Sequence, residues 1–473
     1  MTEPTKADLL TSAQALRGEV GDYHDRLTAT IYDQAAAVAG DVVRQTGGEG
    51  GTRFDRTLDS IVTSPVWGLP IMVLMLGVVL WMTITGANIP SGWLATLLLD
   101  WGYNGLHSIF SALSAPWWLT GFFVDGVYLA LAWVVSVMLP PMAIFFPLFT
   151  LLEDFGYLPR IAFNLDRAFA KAGAHGKQAL TMAMGFGCNA AGVIATRVID
   201  SPRERLIAII TNNFSLCNGR WPTQILIATI FIGALVPVTW SATASTLAVL
   251  GVAVLGVTLS FGVSWGLTQT FLKGETSTFS LELPPYRPPR ILQTLYTSVI
   301  DRTLIVLWRA TVMAAPAGAV IWLLGNVHIG GVSLAAHIVG LLNPIGWFIG
   351  LNGVILLAYV AAIPANEIVI PTVLMLTMMV SGAAGAQPGV MVQFDTTAQT
   401  AQVLVGVGGW TLLTGINLML FSLMHNPCST TILTIYRETK SLKWTVVATA
   451  LPIVMGVATT TTITWIARAL RLV

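Results

Sequence analysis

Charge is what this 473-residue chain has least of: 10% of its residues are Asp, Glu, Lys or Arg, while 55% are hydrophobic. Soluble domains carry about a quarter charged residues. The deficit is local as well as global, because no Lys or Arg stands between Trp67 and Pro159. Apolar runs of about 20 residues recur, each long enough to cross a bilayer core as a helix. Together these features exclude a soluble globule and predict an all-α polytopic membrane protein, with the lipid bilayer as its surroundings. A net charge of +1 offers nucleic acid no basic footprint. Cysteine is scarce too. Cys188, Cys217 and Cys428 lie too far apart for a secreted disulfide framework. The opening MTEPTKADLL has mixed charge and no apolar core, so it does not read as a signal peptide. No GxxxxGK[ST], HExxH or CxxC run occurs, and no nucleophile elbow is expected. The chain reads as a non-enzyme without nucleotide-hydrolysing machinery of its own.

What is present is helix punctuated by breaks. Residues 1–52 read as a cytoplasmic helical preface and linker. Leu9, Ala13, Leu16, Val20, Tyr23, Leu27 and Ile31 form a stripe with steps of three and four. It is either a hairpin lying on its own membrane domain or a docking surface for another protein. TGGEGGT, 46–52, is a flexible joint. Residues 53–473 read as the transmembrane transport domain. A first span is expected near 66–85. An outward loop with Trp81, Trp101, Trp117 and Trp118 follows, then a second span near 124–152. Arg160, Arg167, Lys171 and Lys177 form one basic cluster, and Arg197, Arg203 and Arg205 another; both belong inside. The apolar piece between them, GFGCNAAGVIATR, must enter and leave by the same side or be a broken helix. About eight spans are expected, with one or two broken pieces. Arg437, Lys440 and Lys443 precede the last span while Arg468 and Arg471 follow it, so the charge rule does not orient the C-terminal end.

A faint internal repeat accompanies the breaks. GFGCNAAGVIAT precedes CNGRWPT, and IPANEIVIPT precedes HNPCSTT. Paired interrupted segments in two halves point to a substrate site near the membrane midplane. The expected repeats span about 124–237 and about 345–443.

The candidate chemistry sits at those breaks. Each cysteine neighbours a polar or helix-breaking residue. A buried cysteine is often a small apolar filler, but three at breaks make a soft sulfur pathway for a borderline ion such as ferrous iron. Glu367 lies among apolar residues, where a carboxylate is a ligand or gate unless it pairs with Arg309 or Arg220. Asn189, Asn218 and Asn366 offer uncharged oxygens, or else satisfy backbone groups freed by the breaks. Glu153 and Asp154 are either a cation-attracting mouth or solvated helix-end charges. Asp125 reads as a helix cap, and His425 as structural. His107, His328 and His337 are placed in outer loops without partners.

Several motifs resemble one family, the FeoB ferrous-iron transporters. The likeness rests on RFDRTLDSIVTSPVWGLPIM at 53–72, VDG at 124–126, LLEDFGYLPRIAFNLDR at 151–167 and HGK at 175–177. It continues in GFGCNAAGVIATRVIDSPRERL, ELPPYRPP at 282–289, IPANEIVIP at 363–371 and PCSTTILTIYRETKSLKWT at 427–445. The resemblance implies inward Fe2+ transport across a bacterial inner membrane, a cytoplasmic N-terminus and two gate repeats of opposite orientation. It places the metal path on Cys188, Cys217 and Cys428, and on Glu153, Asp154 and Glu367. Fe2+ would be cargo, with no permanently bound cofactor. Family members carry a GTPase domain, which this sequence lacks. The expected partner is therefore a separate small GTPase docking on residues 6–52; a homo-oligomer stays open. The alternatives are an organic-solute carrier, for example of nucleosides, and a membrane anchor for a GTPase.

Overall fold

The computed structural model describes residues 23–42, 57–64, 66–173, 176–274, 290–383, 387–392, 394 and 396–471. The chain divides into two compact units, Met1–Leu58 and Asp59–Val473. In the first, the main described element is helix α1 (Tyr23–Val42). Most of the expected preface, the TGGEGGT joint, His175 and the ELPPYRPP motif lie outside the described residues.

The second unit is almost wholly helical. Five helices are long and apolar enough to cross a bilayer: Pro70–Ala112, Trp117–Asp154, Val238–Gln269, Ile291–Asn326 and Leu442–Ala469. Two sharply bent pairs raise the number to seven. The stretch after residue 85 is helix rather than the expected loop. Here α2 (Gly68–Ala95) runs through a wide turn, Thr96–Gly102, into α3 (Tyr103–Ala112). The apolar run never stops, so neither does the helix. Its tryptophans mark side chains exposed to the surroundings, Trp81 and Trp101 among them. The next span holds α4 (Leu129–Asp154), with Pro140, Pro141 and Pro147 inside it. Each proline removes a backbone donor and loosens the ladder one turn back.

After α5 (Tyr157–Lys171) the chain dips inward and returns. Helix α6 (Gln178–Gly187) descends, Cys188 stands extended at φ −152°, ψ 121°, and α7 (Asn189–Ala195) climbs back. An ion pair between Lys177 and Asp200, at 2.8 Å, puts both ends of this hairpin on one face. Of the two courses open to GFGCN, re-entrant or broken helix, the re-entrant one is adopted. A broken span follows: α8 (Pro202–Thr211), the Cys217 break, then α9 (Trp221–Ile227). The unbroken α10 (Val238–Gln269) returns, and Arg203 Nε donates to Leu272 O at its far end. GVSWG at 262–266 has the spacing of a nucleophile elbow, contrary to expectation, but lies within α10. Its buried Ser264 accepts from Gln178 Nε2 at 3.1 Å, so it is helix packing and not an elbow.

The second half repeats the plan upside down. Beyond α11 (Ile305–Asn326), a two-residue β-hairpin leads to α12 (Leu334–Phe348). A hairpin of α13 (Gly353–Ala361) and α14 (Val369–Ser381) follows. Its tip holds Ala365 extended at φ −152°, ψ 118°, the backbone of Cys188 again, and each is followed by asparagine. A broken span, α15 (Leu412–Met424), then Cys428, then α16 (Ser429–Thr439), is followed by unbroken α17 (Leu442–Ala469).

Ion pairs fix the orientation. Arg197 and Arg205 both bind Glu438, the former at 2.6 Å, so the end of α16 shares the face that holds Lys177 and Asp200. From there α17 runs for roughly 42 Å to the opposite face. Arg468 stacks 3.7 Å from the Trp347 ring centroid there and donates to Trp347 O at 2.8 Å. The C-terminal arginines that defeated the charge rule thus sit at the far interface, where an aromatic ring shelters the cation.

Candidate functional site

The four breaks meet. Asn218 N–H donates to Gly187 O at 3.1 Å, joining the Cys217 break to the tip of its own half's hairpin. In the other half Ser429 N–H donates to Ile363 O at 2.8 Å, and Ser429 Oγ to Pro364 O at 3.3 Å. The asparagines fix the tips. Asn212 Nδ2 donates to Asn189 O at 2.9 Å. With its amide nitrogen facing the carbonyls, Asn189 donates to Gly185 O at 3.0 Å and Ser215 O at 3.2 Å. Asn366 Oδ1 faces His425 Nε2 at 3.2 Å, and His425 Nδ1 faces Ser422 O. His425 is a strut between two breaks and not a partner of Cys428, whose Sγ lies 3.3 Å from Thr431 Oγ1.

Arg220 joins the halves. It is 1% exposed, yet among the described residues its guanidinium meets no carboxylate. Nη1 donates to Asn213 O and Leu423 O, both at 3.0 Å, and Nη2 to His425 O and Asn426 O, both at 3.3 Å. It thereby satisfies carbonyls freed by the breaks, including those just before Cys428. Pairing with Glu367, one reading of that acid, is not what Arg220 does.

Between the breaks lies a cavity of about 30 Å3, room for one or two water-sized occupants. All three cysteines line it, with Asn189, Asn218, Asn366 and Glu367. Seven of the nine residues singled out from the sequence therefore share one wall. The other two do not. Glu153 and Asp154 end α4, roughly 16 Å along the helix from Met142, where Asp154 accepts from Thr294 Oγ1 at 2.6 Å. Glu367 is half-buried, and no ion pair is seen for it among the described residues. A methyl group at Gly219 would collide with its carboxylate, so the CNG break presses directly on the acid. Among the described residues no three His, Cys, Asp or Glu side chains form a ready ligand cluster. Such a wall offers donors in sequence, and conduction needs sites weak enough to leave.

Sequence reasoning missed the α4 side of the cavity. Met138 and Met142, one turn apart, turn two thioethers toward it. Nothing in MLPPMAIFF separates these methionines from apolar filler. Asp125 was misread as a cap. It lies within the helical turn Gly121–Tyr128, accepts from Tyr103 Oη at 2.5 Å and pairs with His107 Nε2 at 2.8 Å. The expected loop around His107 is helix α3, which brings His107 to its partner.

Residues 135–232, which include the first hairpin and break, match the family model described as nucleoside recognition (Gate). Residues 249–301 match the model of the ferrous iron transport protein B C terminus. These matches mark an FeoB-family membrane domain. It is similar to the Fe(2+) transporter FeoB of Staphylococcus aureus (strain COL), 30% identical over 85% of this chain and 57% of the relative. The FeoB of Synechocystis sp. is 29% identical over 90% of this chain and 64% of the relative. That of Salmonella typhimurium is 32% identical over 60% and 35%. This FeoB-family membrane domain thus spans little more than half the length of the first of these relatives. No solved structure matches it.

Proposed function

We propose that this domain carries ferrous iron, or a similar divalent cation, across the membrane through the cavity between the two hairpins. One observation carries the reading: the only three cysteines in 473 residues converge with a carboxylate and three amides where the inverted halves meet. Thiol, thioether, amide and carboxylate together suit a borderline ion better than a hard one. The basic face, with Arg197, Arg203, Arg205 and Lys177, is the cytoplasmic one by the positive-inside rule, and transport is inward across a bacterial inner membrane. Glu153 and Asp154, at that face, stand at the exit, where they receive the cation as it leaves the path. Coupling is to a GTPase on a separate subunit docking on residues 6–52, where Leu27 and Ile31 on α1 are exposed.

The matched model described as nucleoside recognition favours a second reading, an organic solute. Size argues against it. Small-molecule pockets occupy about 300–1,000 Å3, an order of magnitude more than the 30 Å3 found here.

Uptake into proteoliposomes holding an Fe2+-chelating dye tests the proposal. Wild-type chain is expected to give saturable Fe2+ uptake and no nucleoside uptake, and Cys188→Ser to lose more than tenfold. Nucleoside uptake indifferent to metals would favour the second reading. Gly219→Ala is a finer test. Gly219 has no positive φ, so alanine costs nothing in the backbone and acts only by pushing Glu367 aside. Uptake should fall about tenfold and recover in part when Glu367→Asp is added, because the shorter acid makes room. An unaltered rate in the single variant would show that the contact does not matter to transport.

A further inference from the structure

A second, smaller cavity of about 10 Å3 abuts the first across the tip of the α6–α7 hairpin. The two share Met142, Gly187 and Asn218. Their linings differ in kind. Where the first offers thiols, amides and a carboxylate, the second is walled chiefly by Phe145, Phe146, Phe186 and Trp221. On its α4 and hairpin walls it lies nearer the basic face, while Trp221 on the broken span stands beyond Asn218, on the other side. On α4 the first cavity touches Met138 and Met142, and the second moves on to Phe145 and Phe146, toward Asp154. On the hairpin it takes Phe186, one step back toward Lys177.

The contact that closes this chamber is tight. A Cβ on Gly187 would collide with the Phe145 ring, so the ring rests on bare hairpin backbone directly before Cys188. Phe145 stacks on Phe149 at 5.5 Å and meets Phe146 edge-on at 5.9 Å, while Phe186 faces Trp221 at 6.4 Å. One turn before Phe145 stand Pro140 and Pro141, where α4 has lost two ladder donors and bends most readily. An apolar ring of this kind blocks a hydrated ion by dewetting and needs no charge to do so.

We infer that Phe145, seated on Gly187, is the closed gate between the thiol cavity and the basic face, and that the route leaves the cavity past Met142 when α4 bends at Pro140–Pro141. This rests on the transport reading, but its test does not need iron to move. The three cysteines all line the first cavity, so a thiol reagent reports access to that cavity with no background from other sites. The full chain is reconstituted in vesicles of both orientations and exposed to a membrane-impermeant methanethiosulfonate from one side at a time. Wild type should label slowly from the basic face. Phe145→Ala should label at least tenfold faster from that face and no faster from the other, while Phe145→Leu, which keeps most of the bulk, stays near wild type. Unchanged labelling of Phe145→Ala, or equal acceleration from both faces, overturns the assignment. Equal acceleration is also what general loosening of the fold would produce, so side-specificity separates a gate from a damaged structure. Faster one-sided labelling without Fe2+ uptake in wild type would keep the gate and defeat the transport reading.

Discussion

Arg220→Met is expected to unfold the junction of the two gate repeats, not merely slow transport. Four carbonyls from two chain segments, at Asn213 and at Leu423, His425 and Asn426, take their hydrogen bonds from this one guanidinium. Hydrogen bonds to a charged group are worth about 1.5–3 kcal/mol each, and a buried acceptor left alone costs about 1–3. Even with strong non-additivity the loss should exceed about 4 kcal/mol. Methionine keeps much of the volume and supplies no donor. Lysine should rescue only in part, since a compact ammonium with three donors cannot reproduce the planar fork that reaches four carbonyls. The measurement is the thermal midpoint and the monodispersity of purified protein in detergent. A methionine variant as stable as wild type would show that the carbonyls find other donors, and the bridging role would fall.

That bridge explains an apparent contradiction in the sequence. A cation in CNGRWPT looks out of place at membrane depth, and pairing it with Glu367 is the economical guess. Breaking a helix, however, releases carbonyls that must be satisfied where no water competes. One arginine can serve four of them. The second half needs no equivalent arginine, because the Arg220 of the first half reaches across to its break.

Much of the architecture was legible because its signals are compositional. Low charge and long apolar runs gave the spans. Two basic clusters flanking one apolar piece left the GFGCN segment either a re-entrant hairpin or a broken helix, and the Lys177–Asp200 pair decides for the hairpin. Asn-centred and Cys-centred breaks in each half pointed to a shared midplane site, and six of the seven Cys and Asn residues at those breaks line one cavity, Asn426 being the exception. What stayed hidden depends on side chains whose chemistry is ordinary. Met138 and Met142 read as filler until α4 is seen beside the hairpin tips. His107 and Asp125 are 18 residues apart on separate helices, so no local pattern joins them. The loop expected near residue 86 failed because tryptophan and missing charge report depth in a membrane, not the course of the backbone. The last span could not be oriented by charge alone, since Arg468 hides its cation against Trp347.

Glu367→Gln is expected to lower Fe2+ uptake about 100-fold, equivalent to about 2.7 kcal/mol, while leaving the protein as stable as wild type or more so. The two halves of that outcome come from one cause. A carboxylate in the membrane interior costs at least a few kcal/mol unless it is paired, and the nearby Arg220 spends its donors on carbonyls. Among the described residues, therefore, no ion pair offsets the cost of this charge. Glutamine has nearly the same shape, keeps the contact with Gly219 and removes the cost. A passing divalent cation, by contrast, loses the one anionic group in the lining of its cavity and must shed water against neutral thiols and amides alone. Uptake and thermal midpoint measured on the same preparation discriminate the roles. If glutamine destabilises the protein and spares uptake, Glu367 is a structural group; if uptake collapses while the midpoint holds or rises, its charge serves the ion.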